Sequence, residues 1–195
     1  MRAKVIDMAT DKIINTLGYF ALMQGDGTIN CMKAYKLVWL ADRYHLRKYG
    51  RTITGDNYFA MQKGVVPSTA KNIVEGVPLR NLEGYDHMAI RENKDDFTYT
   101  FNKDLDKDCF SESDIEALKL IWDTYGNMTQ WQLSNLSHQF PEWKAFEKQI
   151  NDKNSKNSYN INLDSFFENY DDGSGLFVDD KESLDLAKEM FHLYK

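Results

Sequence analysis

The stretch KAYKLVWLADRYHLRKYGRTITGDNYFAMQKGVVPS, residues 33–68, carries most of the information about the fold. Its first half reads as a helix running from about Asn30, an N-cap, to Gly50, a C-terminal cap that follows the basic last turn Arg47 and Lys48. Within it YKLVWLA is apolar almost all round, so no broad face is left for water and the helix belongs at the centre of the molecule. The second half changes character. Gly55-Asp56 is a turn signal, and Asn57 to Met61 is a short aromatic run closed by Gly64 and Pro67, the pattern of a short strand between two loops.

On the N-terminal side, residues 4–23 place Val5, Ile6, Ala9, Ile13, Leu17, Phe20 and Ala21 at helical spacing, and Gly25 with Gly27 stops the helix. On the other side, Ser68 caps a short helix over Thr69 to Val74 that Gly76 and Pro78 end. The runs His87 to Arg91 and Phe97 to Phe101, joined by the polar ENKDD, pattern as a β-hairpin. Two overlapping capping boxes, Ser111 with Asp114 and Ser113 with Glu116, open a helix that Gly126 ends. Thr129 caps a short helix with Trp131, Leu133 and Leu136, and Pro141 starts a third with Trp143, Phe146 and Ile150. Residues 151–160, NDKNSKNSYN, read as an exposed, mobile loop. A short helix is expected over Leu163 to Tyr170, then a DDGSG linker, and residues 180–194 return to helical spacing. There is no internal repeat. The sum is an α+β, mainly helical single domain with a small antiparallel β-sheet.

At 195 residues the chain is long enough to bury roughly two thirds of its unfolded surface without disulfides or a structural metal. Charged residues at 28% and aromatics at 13% are globular values and exclude a disordered chain. Lys and Arg number 24 against 30 Asp and Glu, a net charge of −6, which argues against a dedicated binder of nucleic acid or anionic membrane. Cys31 and Cys109 sit in no CxxC or ligand spacing and are expected to be reduced thiols. The N-terminal MRAKVIDMATDKII is interrupted by Asp7 and Asp11 before a signal-peptide core or spanning segment forms, so a cytoplasmic protein is expected.

Candidate chemistry is sparse. Asp42 and His45, at i and i+3, are the best metal-ligand pair, and two groups are too few; a surface or capping network on that helix is the simpler reading. Asp171 and Glu182 occupy positions one and twelve of a calcium-loop pattern. Gly173 and Gly175 offer it no side-chain oxygen, however, and Leu176 replaces the turn glycine, so a flexible linker is preferred. Cys31 at a helix start has no local His signature and reads as a small hydrophobe. Gly25, Gly50, Gly55 and Gly64 form no phosphate loop. The basic residues Lys33, Lys36, Arg43, Arg47, Lys48 and Arg51 are mostly accounted for by dipole compensation and solvated edges. No catalytic group, metal or cofactor is expected.

Residues 33–68 closely resemble the Panacea domain, the family of SocA-like antitoxins. Lys33 and Lys36 match its lysines, Ala41-Asp42 its Ala-Asp pair, Tyr49-Gly50 and Gly55-Asp56 its two turns, and Ala60-Met61 its strand. A second block, YGNMTQWQLSNLSHQFPEW at 125–143, resembles the family's Tyr-Gly, Leu, Ser-His and Trp pattern. The family's Gly-Pro-Val reads Gly64-Val65-Val66 here, which frees φ and restores an N–H at Val65. The resemblance implies a Panacea-type domain over about residues 1–170. Residues 171–195 are then a C-terminal linker and helix packed on it or extending it.

It also implies an antitoxin that neutralises a cognate toxin, encoded by an adjacent gene, through direct protein contact. Some relatives act instead as adaptors that deliver a toxin to a protease, and others occur in prophages. Many members carry an added DNA-binding segment; with no room for one before residue 5, a domain-only type is expected. The surface around the second helix and the Gly55 to Ser68 strand and loop is the expected contact region, with Lys36, Asp42, Arg43, Arg51, Asp56, Tyr58, Met61 and Pro67 as candidates. Set against this, Asp42, Arg51 and Asp56 simply fix the turn after the helix. A metal-dependent enzyme at Asp42, His45 and Asp56, and autoregulatory DNA binding, are the alternatives from other classes. If the antitoxin reading holds, the acids of the later half, in NLDSFFENYDDGSG and VDDKESLD, complement a basic toxin surface.

Overall fold

In a computed structural model, which describes residues 8–77, 97–152 and 154–193, the molecule is organised around one helix, α2 (Cys31–Tyr49). Asn30 caps its start by accepting from the Lys33 N–H, and Gly50 ends it at φ 65° with its N–H on the Leu46 carbonyl. The all-round apolar segment is interior as expected, with Leu37, Val38, Trp39, Leu40 and Ala41 each 0% exposed. Full burial of side chains like Leu and Val contributes about 1.5–3 kcal/mol each, which is why the rest of the chain gathers round this helix.

Around it lie α1 (Met8–Met23), α3 (Ser68–Val74), α4 (Glu112–Tyr125), α5 (Gln130–Ser137), the short α6 (Pro141–Lys144) and α7 (Glu147–Asn151), and α8 (Lys181–Leu193). Two antiparallel sheets are formed among the described residues. One pairs β1 (Thr28–Asn30) with β4 (Thr98–Thr100); the other has the order β3-β2-β5, from β3 (Gly64–Pro67), β2 (Tyr58–Met61) and β5 (Ser158–Asn160). The mainly helical α+β class read from the sequence is therefore the observed one.

Several details differ, each through a long-range contact. Gly64 to Pro67 is not a loop but the second strand of a hairpin, with Met61 opposite Gly64. The polar tail of 151–160 was expected to be all loop; Ser158–Asn160 instead adds to the other edge of β2, Ala60 facing Tyr159. The strand at Phe97 to Phe101 is present, and its partner among the described residues is β1, while His87 to Arg91 lie outside them. The helix from Pro141 divides at Phe146, whose φ of −113° and ψ of 1° leave the helical basin, while Trp143 donates from its ring to the Met61 carbonyl at 2.9 Å. The segment Leu163–Phe167 is a 3-10 turn. Ser68 does not cap α3. Asp56 does so from outside the helix, its carboxylate accepting from the Asn57, Thr69 and Ala70 N–H groups at 2.7, 2.9 and 2.8 Å.

Two glycines permit the central packing. At Gly50 a Cβ would lie 2.7 Å from the Ala187 carbonyl and from Met190, so its absence lets α8 cross the end of α2 and bury Leu184, Ala187 and Phe191. At Gly64, φ 97°, a Cβ would fall 1.8 Å from the Ser137 hydroxyl and 2.6 Å from Lys36 Nζ.

Candidate functional site

Six of the eight contact candidates are inside the protein. Lys36, Asp42 and Arg43 are 0% exposed, Tyr58 is 1% and Asp56 4%, and Pro67 is buried as well; Arg51 is exposed and Met61 half-buried. In this conformation the buried six are enclosed by the protein's own segments. Asp42 is the clearest case. Its Oδ1 accepts from the Ile53 and Thr54 N–H groups at 2.7 and 3.0 Å, and its Oδ2 from the Tyr58 hydroxyl at 2.5 Å and from the Thr54 hydroxyl. Burial pushes its carboxyl up to about 6, against these donors, which pull the other way. Together with Asp56 it ties residues 51–57 between α2 and α3, the turn-fixing role weighed against partner contact.

The basic residues along α2 are likewise not a solvated edge. Only Lys48 and Arg51 are exposed. Lys33 donates to the Gly126 carbonyl at 2.6 Å and to Gln24 at 2.9 Å, beneath the Trp122 ring. Arg43 lies between the Phe140 and Phe177 rings and bonds Glu142 Oε1 at 3.0 Å and the Glu168 carbonyl at 2.7 Å. Trp39 donates to that same Glu142 oxygen at 3.0 Å. Because α2 is surrounded, its buried cations are held by carbonyls and side chains of other segments rather than by water.

Asp42 and His45 do not converge on a common point. The Arg51 carbonyl, 2.8 Å from His45 Nδ1, can only accept, so Nδ1 carries the proton and Nε2 accepts from Ser113 at 3.0 Å. Among the described residues no three His, Cys, Asp or Glu side chains come together as a metal site would require, and no helix is long and apolar enough to cross a membrane.

Lys36 has no carboxylate partner; its Nζ donates to the Val65 carbonyl at 2.6 Å and to Ser137 at 3.2 Å. Burial holds this ammonium well below its usual range. The unfolded chain therefore binds this proton more readily, so the group's contribution to stability is complete above about pH 10.4 and declines as pH falls toward the depressed folded value. Lys36→Met is expected to flatten the part of the rise in urea midpoint that this group causes as pH climbs toward about 10.4. Equal slopes in the two proteins count against this assignment.

The exposed part of the expected region is a cleft of about 530 Å³. Met32 and Tyr35 of α2, Met61 and Val66 of the hairpin and Ile150 of α7 form its apolar floor, and Lys63 and Lys156 stand on its rim. Beside it Trp131, 55% exposed, carries Lys63 over its ring at 5.5 Å. Of these, only Met61 was a sequence candidate. Tyr35 and Ile150 carry no local signal of a site, because the cleft exists only once α2, the hairpin and the α7–β5 connection meet.

A protein-family model described as Antitoxin SocA-like, Panacea domain, matches residues 35–144, which span α2 through α6 and so both blocks noted in the sequence. No curated protein and no solved structure matches the chain.

Proposed function

The chain belongs to the SocA-like antitoxin family built on the Panacea domain, and from that premise we propose that it neutralises a cognate toxin by direct protein contact. The family match is the observation that carries this reading. The geometry supports it by what is left exposed. Most polar side chains of α2 are engaged in holding the turn at 51–57 and the segments around the helix, while a cleft with an apolar floor and an aromatic beside it stays open at the surface. The contact region we assign is that cleft, with Met61 inside it, in place of the buried members of the candidate set. The stretch from 171 to Leu193 is assigned to the same folding unit, since Arg47 and Gly50 of α2 hold it.

The test is to express the neighbouring open reading frame alone and with this chain. Growth arrest by the neighbour, relieved by co-expression and accompanied by a complex that co-purifies, is the expected result. A neighbour harmless alone, or one that stays toxic while both proteins are soluble and separate, overturns the proposal. Co-purification at one-to-one stoichiometry without loss of toxin also separates blocking from delivery to a protease, in which the toxin's level falls.

A further inference from the structure

We propose that the cleft between α2, the β2–β3 hairpin and the α7–β5 connection docks an extended segment of the partner protein that presents an apolar side chain next to an acidic one. This rests on the antitoxin reading and names the chemistry of its contact. The floor of Met32, Tyr35, Met61, Val66 and Ile150 suits a large aliphatic or aromatic anchor, and its two methionines adapt to the anchor's shape.

The polar groups identify the rest of the occupant. Tyr35 is 4% exposed and lines the cleft, and its hydroxyl makes no hydrogen bond among the described residues. Burial raises its pKa, so it remains a phenol able to donate. An incoming carbonyl or carboxylate can accept from it in place of water. The side-chain amides of Gln62, Asn151 and Asn157 also line the cleft without partners among the described residues, and an amide matches a peptide bond as both donor and acceptor. At the rim Lys71 is paired with Glu75, and Asp152 accepts from the Asn154 N–H at 3.0 Å and keeps its charge. Lys63 and Lys156 form no ion pair among the described residues. The described lining thus carries three lysines against two acids, a net +1 in a chain of net −6, so the occupant brings an acid.

The experiment is to pan a displayed library of random peptides on the full chain, then measure a synthetic peptide of the enriched consensus by fluorescence anisotropy. The expected consensus is an aromatic or aliphatic residue with Asp or Glu within about two positions. Its affinity is expected to fall about tenfold in Lys63→Glu/Lys156→Glu and in Ile150→Glu, and to stay unchanged in Leu186→Glu on exposed α8. No consensus, a consensus without acids, or equal binding by the double charge reversal overturns the proposal. If Ile150→Glu fails to fold, the double variant, altered only at exposed positions, decides. Neutralisation of the toxin by the double variant as well as by the parent sinks this docking mode and leaves the antitoxin reading standing. Selection of such peptides by a chain that neither binds nor neutralises its neighbour's product does the reverse.

Discussion

Arg47→Ala is expected to lower the stability of the chain by about 4 kcal/mol, a drop of about 10 °C in the unfolding midpoint for a protein of this size. Arg47 is 1% exposed and gathers the later chain onto α2. Nη1 donates to the Phe166 and Glu168 carbonyls at 2.9 and 3.0 Å; Nη2 donates to Asn169 at 2.5 Å, to the Phe177 carbonyl at 3.2 Å and to Asp179 at 2.8 Å; Nε reaches Asp179 at 3.1 Å. Burial lowers this guanidinium to about 10, and it stays protonated at neutral pH. Truncation leaves several carbonyls and one carboxylate facing a void, and uncompensated buried polar groups dominate the cost. Arg47→Lys recovers little, since an ammonium is a point charge and cannot span a fork of acceptors. Chemical denaturation gives the loss, and limited proteolysis is expected to cut first within 166–179. A variant within about 1 kcal/mol of the parent contradicts the clamp.

Asp42→Ala has a comparable expected cost, about 4 kcal/mol, because it orphans two buried N–H groups and two hydroxyls at once. Tyr58→Phe removes a single donor and is expected to cost only about 1 kcal/mol. The pH dependence separates charge from hydrogen bonding. With the folded carboxyl at about 6 and the unfolded one near 3.8, the folded state holds the proton more tightly. The group's contribution to stability is therefore full below the unfolded value and is lost as pH rises through the folded one. Asp42→Asn, which does not ionise, is expected to abolish the part of the decline between about pH 4 and pH 6.5 that this group causes. Urea midpoints across that range decide it, and an unchanged profile in Asp42→Asn rules the assignment out.

Both residues stand in the same helix, and their fates show where local reading stops. Asp42 was legible as a turn-fixing group because its partners, Ile53 to Tyr58, follow within a few turns of chain. Arg47 looked like a residue of a basic last turn facing water, because the acceptors that bury it begin more than a hundred positions later. The same contrast holds for caps. Ser111 closes its box with Asp114 and Thr129 caps its helix as expected, Gln132 completing a box there; the box expected at Ser113 and Glu116 does not form, Ser113 bonding His45 and Arg51 instead, and α3 is capped by Asp56 from the far side of a hairpin. Strands follow the rule too: β2 has an aromatic run of its own, while polar β5 is a strand only because β2 offers it an open edge.

From residues and spacing alone came the helical α+β class, the central place of α2, its caps at Asn30 and Gly50, and the family resemblance. All of these rest on periodicity, turn chemistry or motif, which act over a few residues. Which charges are interior, and which groups stay exposed to meet a partner, depended on how distant segments close over α2. A lysine in a helix has the same local pattern whether it faces water or a buried carbonyl. Lys36 and Lys63 are told apart only by what packs on them: Val65 and Ser137 enclose the first, and an open cleft borders the second.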